Sequence, residues 1–123
     1  MATRRPPQRP IQVVLEAELT RWFRELGRQA LAGRKEAQTL KRALDRLLET
    51  LSRDFQHGEV VPKSKIPPSL VSRFGVSNLY VEDLPDFHRM LYSVEGAEQV
   101  VTVLILTVFD HSEYDRLFRI RRR

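Results

Sequence analysis

The sequence predicts an α+β domain, an antiparallel four-stranded sheet with an N-terminal α-hairpin packed on one face. Three observations predict it. Leu19, Trp22, Phe23, Leu26 and Ala30 recur at helical spacing, and after a break at Ala32-Gly33 so do Ala37, Leu40, Leu44, Leu47, Leu48, Leu51 and Phe55. From residue 76 to residue 118 three extended segments follow one another, divided by turn formers at residues 82–86 and 95–97. Ahead of the helices stands a short β-branched run, Ile11–Leu15, whose length suits an edge strand pairing with the later meander. At 123 residues the chain has room for one two-layer core.

The boundaries follow from composition. Residues 1–10 are rich in Pro and Arg without apolar periodicity and read as a flexible basic arm; residues 11–118 form the single domain; residues 119–123 form a basic C-terminal tail. Taking the +3 of residues 1–10 and the +5 of residues 116–123 from the formal charge of +5 leaves −3 for residues 11–115. Positive charge gathered at the ends suits contact with a polyanion such as RNA, DNA or an acidic partner. The competing account is an Arg-rich composition with solubilising tails, since Arg outnumbers Lys by 17 to 4.

Several classes are disfavoured. With no Cys there is neither a disulfide framework nor a thiolate metal site, and three scattered histidines do not make a metal centre, so no metal and no cofactor are expected. No apolar run approaches a membrane span or a signal peptide, which leads us to expect a soluble cytoplasmic protein. P-loop, dinucleotide-binding, zinc-protease and serine-nucleophile motifs are absent from the sequence.

In the first helix Thr20 is expected near the cap, with Arg21, Arg24 and Arg28 off the apolar stripe; at that spacing Trp22 and Phe23 read as core, not as a base-stacking pair. The second helix is expected over residues 35–55, ended by Gly58. Residues 59–68 read as a loop stiffened by three prolines, with Lys63 and Lys65 flanking Ser64, and residues 70–74 as one or two helical turns with Ser69 near the cap and Gly75 at the end.

Along the meander, Phe87, Arg89, Leu91 and Ser93 share one face, and His88, Met90, Tyr92 and Val94 the other. The second set is the better match to the helices, which leaves Arg89 on the opposite, partly open face. A guanidinium among apolar strand residues needs a carboxylate or an anion. Asp110, Glu82 and Asp86 are the carboxylates within reach across the sheet. Residues 100–109 are apolar on both alternating faces, as in a central strand covered on two sides, and lead into Asp110, His111 and Tyr114. His111 is placed either for chemistry or to bond Asp115; Tyr114 either for chemistry or to pack on the helix ending at Phe118. His57 and His88 read as bystanders.

The order strand–helix–helix–strand–strand–strand, with L-P-D-F-H-R-M-L-Y on the middle meander strand and V-F-D-H-S-E-Y-D-R-L-F at the end, resembles the RelE/ParE superfamily of toxins from type II toxin–antitoxin systems. The resemblance covers roughly residues 11–118. It implies a RelE-like, ribosome-dependent mRNA endonuclease that works without metal, a ribose 2′-OH attacking the adjacent phosphate, and that is neutralised by a cognate antitoxin. Its partners would be that antitoxin and mRNA on the ribosome, with no membrane, in a homodimer or a toxin–antitoxin hetero-oligomer. Carried onto this chain, the resemblance makes Arg89, His111, Tyr114 and Lys65 the catalytic candidates and Lys63, Arg73, Arg116 and Arg119 the RNA-binding ones. Such a cut needs a base for the 2′ proton, a fixed cation for the charge on the phosphate and an acid for the leaving oxygen; the planar fork of Arg suits the second task. One departure stands out: residues 100–109 carry no Arg, the nearest being Arg116 and Arg119. The alternative is therefore a non-catalytic, partner-binding member, such as a ParE-like gyrase inhibitor or a nucleic-acid or protein adaptor.

Overall fold

The computed structural model describes residues 9–118, which run β1 (Ile11–Leu15), α1 (Ala17–Leu31), α2 (Lys35–Leu51), β2 (Glu59–Val60), a 3-10 turn (Lys63–Lys65), α3 (Pro68–Phe74), β3 (Tyr80–Leu84), β4 (His88–Gly96), β5 (Val101–Asp110) and α4 (His111–Phe118). Most of the expected arm and all of the basic tail, with Arg119, lie outside these residues. Arg9 and Pro10 are held against the domain: Arg9 Nη1 donates to the Ala97 carbonyl at 2.7 Å, and the Pro10 carbonyl accepts from Val101 at 2.9 Å.

The α+β class and the α-hairpin hold, but the sheet has five strands, not four, in the order β1-β5-β4-β3-β2. β1 pairs with β5 in parallel, and every other neighbouring pair is antiparallel. The additional strand, β2, lies in the stretch expected to be loop. Its two residues pair with Val81 and Tyr80, and Pro62, which lacks an amide hydrogen, stands just beyond.

Leu26, Leu40, Leu44 and Leu51 of the helices pack on Met90, Tyr92, Val103 and Ile105, with Trp22 and Phe23 partly buried against the same cluster. Met90, Tyr92 and Val94 thus face the helices as expected. The opposite face, expected to be partly open, is covered instead. Val61, Leu70, Val76 and Leu79 join Leu91, Leu106 and Tyr114 in a second cluster under α3 and α4. The physical reason is visible in β5, whose apolar residues on both faces need cover on both sides. A bulge serves this packing: Leu91 pairs with Thr107 but Tyr92 with Ile105, so Leu106 is the extra residue. The skipped position keeps Val108 on the helix side with Ile105 and Val103.

Helix ends shift for local reasons. α1 starts before Thr20, capped by the Glu16 carboxylate, which accepts from the Glu18 amide at 2.9 Å, while the Thr20 hydroxyl donates to the Glu16 carbonyl. α2 ends at Leu51, well before Gly58; Phe55 packs on the core from the following turn. Gly75 ends α3 in the left-handed region at φ 65°, as expected, but the helix begins at Pro68 with Ser69 inside it. The hairpin between β3 and β4 turns at residues 85–87, where Asp86 and Phe87 both take positive φ, so Glu82 and Asp83 belong to the strand and not to the turn.

Candidate functional site

β3 and β4 are in register so that Asp83 stands opposite Arg89. Arg89 Nε lies 3.1 Å from Asp83 Oδ1, an ion pair whose Arg side chain is 30% exposed and whose Asp side chain is 85% exposed. Neither Asp110, Glu82 nor Asp86 takes that role. Asp110 caps α4, its Oδ1 accepting from the Glu113 amide at 2.9 Å, and that bond chiefly holds its carboxyl below the usual aspartate value. The Arg89 guanidinium also sits 4.5 Å above the Tyr114 ring, which in turn stacks on Phe118 at 4.4 Å. A cation fixed over an aromatic face with one side to solvent is a suitable anion contact once its exposed carboxylate partner moves aside.

Arg89 and Tyr114 line a cavity of 240 Å³ together with His57, Glu59, Glu82 and Asp83. His57, expected to be a bystander, and Glu82, expected in a turn, are paired in this cavity. His57 Nδ1 lies 2.8 and 3.1 Å from the two oxygens of Glu82, which is buried while the imidazole is about half exposed. The hydrogen bond to Glu82, reinforced by its charge, raises the imidazole pKa above the ordinary 6.5. The segment carrying His57 is held by Tyr92. Its fully buried hydroxyl accepts from the Gly58 amide at 2.9 Å and donates to the Phe55 carbonyl at 3.1 Å. Burial pushes this phenol well above its usual range, so it stays a neutral donor. Gly58 is required here: a Cβ would fall 2.8 Å from the Tyr92 hydroxyl and 2.9 Å from the Val81 carbonyl oxygen.

A local signal for Glu82 existed. In Tyr80-Val81-Glu82-Asp83-Leu84, period-two alternation puts Glu82 on the same face as Tyr80 and Leu84, and an inward carboxylate needs a partner.

The other candidates are dispersed. Lys65 lines a groove of 640 Å³ that adjoins the first cavity, the two sharing Glu59, Val81 and Tyr114. Lys63 is exposed on the 3-10 turn and is not among the groove's lining residues. His111 is outside both cavities. Its Nε2 is 3.4 Å from Asp115 and its ring meets Phe87 edge-on at 6.2 Å. Arg73 is ion-paired with Glu18 and its guanidinium lies 4.8 Å over Phe74. Arg116 is exposed on α4. Arg89, Tyr114 and Lys65 are thus brought to adjoining depressions, whereas His111, Arg73 and Arg116 are not.

Among the described residues no group of three or more His, Asp or Glu side chains is arranged to hold a metal ion, and no helix is long and apolar enough to cross a membrane. Comparison with protein-family models, with curated proteins and with solved structures gave no match to this chain.

Proposed function

We propose that the chain is a RelE-like toxin, a ribosome-dependent endonuclease that cuts mRNA by metal-independent attack of a ribose 2′-OH and is neutralised by a cognate antitoxin. The observation that carries this reading is the guanidinium of Arg89, fixed over Tyr114 in the 240 Å³ cavity, with Lys65 on the adjoining groove. In this reading Arg89 receives the scissile phosphate. Displacing Asp83 costs little, because an ion pair with so exposed a carboxylate contributes about 1 kcal/mol or less, and a phosphate offers the guanidinium two charged acceptors in its place. Tyr114, buried and stacked on both sides, acts as the platform for the guanidinium and not as an acid or base. His111, tied to Asp115, drops out of the reacting group.

A second reading has its own support. Three carboxylates, Glu59, Glu82 and Asp83, surround Arg89 and His57 in the cavity, a balance that suits contact with a basic protein surface better than with RNA. It fits the non-catalytic, gyrase- or partner-binding alternative. Induced expression in a bacterial host, wild type beside Arg89→Ala, with mapping of mRNA 5′ ends, separates the two. The nuclease reading expects growth arrest with cuts in translated messages, both lost in the variant. Arrest without cuts would transfer the proposal to partner binding, and absence of arrest would count against a toxin.

A further inference from the structure

We propose that His57 is the general acid of this cut, giving its Nε2 proton to the departing 5′ oxygen while Glu82 holds the ring. The inference rests on the RNA-cleaving reading and names a catalytic residue within it. Three observations carry it. His57 lines the same 240 Å³ cavity as Arg89, so a phosphate on the guanidinium has the imidazole on the same cavity wall system. Both oxygens of the buried Glu82 lie within 3.1 Å of Nδ1, which fixes Nδ1 as the protonated nitrogen facing the carboxylate and makes Nε2 the nitrogen that can give up a proton. The backbone on either side of the residue is tied to the Tyr92 hydroxyl, so the imidazole stands on a rigid support although its ring is half exposed.

The charged groups around the ring favour its protonated form. They are Glu82 and Asp83 on β3, Glu59 on β2 and Asp54 on the segment after α2, against Arg89 alone on β4. A raised imidazole pKa keeps the acid loaded near neutrality.

In the step itself the 2′ oxygen bonds to phosphorus and the bond from phosphorus to the 5′ oxygen breaks. The electron pair of that bond stays on the 5′ oxygen, which takes the His57 proton. The 2′ proton leaves to the exposed Glu59 carboxylate on the same cavity. The products are a 2′,3′-cyclic phosphate and a 5′-hydroxyl, and the imidazole recovers its proton from solvent.

The test is single-turnover cleavage of a short mRNA on programmed ribosomes by the whole chain, His57→Ala and Glu82→Gln, on two linkages. One is ordinary; in the other the 5′ bridging oxygen at the cut site is replaced by sulfur, a leaving group that needs no acid. On the ordinary linkage His57→Ala should lose roughly 10²- to 10⁴-fold, the usual contribution of a positioned acid. On the sulfur linkage it should lose almost nothing. The wild-type rate should fall as pH rises through the His57 pKa, and Glu82→Gln should move that fall to lower pH. Equal losses on both linkages, or no loss on either, would overturn the assignment to His57 while leaving the nuclease reading in place. A wild-type chain that cuts neither substrate would overturn the nuclease reading and the assignment with it.

Discussion

Replacing Tyr92 by Phe tests whether one buried hydroxyl holds the segment that brings His57 to the cavity. The ring is fully buried and stacks on Tyr80 at 5.0 Å, so Phe can occupy the same space without leaving a void. What disappears is the acceptor for the Gly58 amide and the donor to the Phe55 carbonyl. Each such bond contributes about 1 kcal/mol net, and each backbone group left behind lies in a partly buried place where water reaches it poorly. The expected loss is therefore about 2 kcal/mol in urea denaturation. For a domain of this size that corresponds to a fall in Tm of roughly 8 °C. The loss should be local as well as global: amide exchange at residues 56–58 should quicken more than in α1 or β5. Gly58→Ala should cost as much by another route, because its Cβ would meet both the Tyr92 hydroxyl and the Val81 carbonyl. It should stay costly in the Tyr92→Phe background, where the Val81 contact remains. A Tyr92→Phe loss below about 0.5 kcal/mol, with unchanged exchange at residues 56–58, would refute the claim that this hydroxyl organises the segment.

Leu91→Ala, on the sheet face expected to be partly open, should lose roughly 2–5 kcal/mol, the same range as Leu44→Ala under the helices; a loss confined to Leu44→Ala would mean that α3 and α4 do not form a true second layer. Stability should also fall at both ends of the pH scale. The His57 pKa is raised in the folded chain, so its contribution is complete below the ordinary 6.5 and is lost as pH rises through the raised value. The Asp110 pKa is lowered, so its contribution is present above the ordinary 3.8 and is lost as pH falls through the lowered value. Urea midpoints followed across this range for wild type and His57→Gln check the first of these, since the variant should lose only the alkaline decline.

Much of the architecture was legible because it is written in periodicity. The two helices, β1 and the apolar β5 are long enough to show their repeat, and Gly75 marks the left-handed cap that ends α3. The errors lie where periodicity has no room to act. β2 has two residues, too few to alternate. The β3–β4 turn carries Phe87 at φ 58°, where Gly or Asn would be the usual signal, so the sequence points to a turn over residues 82–86 and not to Asp83 standing opposite Arg89 on a strand. The His57–Glu82 pair joins residues 25 apart in sequence, and only the inward parity of Glu82 hinted at it. Of the catalytic candidates, Arg89, Tyr114 and Lys65 reach adjoining surfaces, while His111 is turned toward Asp115 and Phe87.

The position of the cavity follows from how the sheet ends. β2 begins only at Glu59, opposite Val81, so from Glu82 onward β3 has no strand neighbour on that side among the described residues. An exposed strand edge invites pairing with another chain, and charged side chains are a common remedy. Glu82 turned inward, Asp83 turned outward and the 55–58 segment laid beside the strand would serve that purpose with no chemistry at all. Edge protection and catalysis therefore explain the same charges, but they differ in what they demand of each side chain. Protection asks only for charge of the right sign, and would accept Lys in place of Arg89. Phosphate chemistry asks for a planar fork held over Tyr114, which the point charge of Lys does not supply. Arg89→Lys should accordingly keep the wild-type urea midpoint under either account. If cleavage survives in this variant, the geometry over Tyr114 has no catalytic meaning and the edge alone accounts for it; if cleavage is lost while stability is kept, Arg89 is there for its fork.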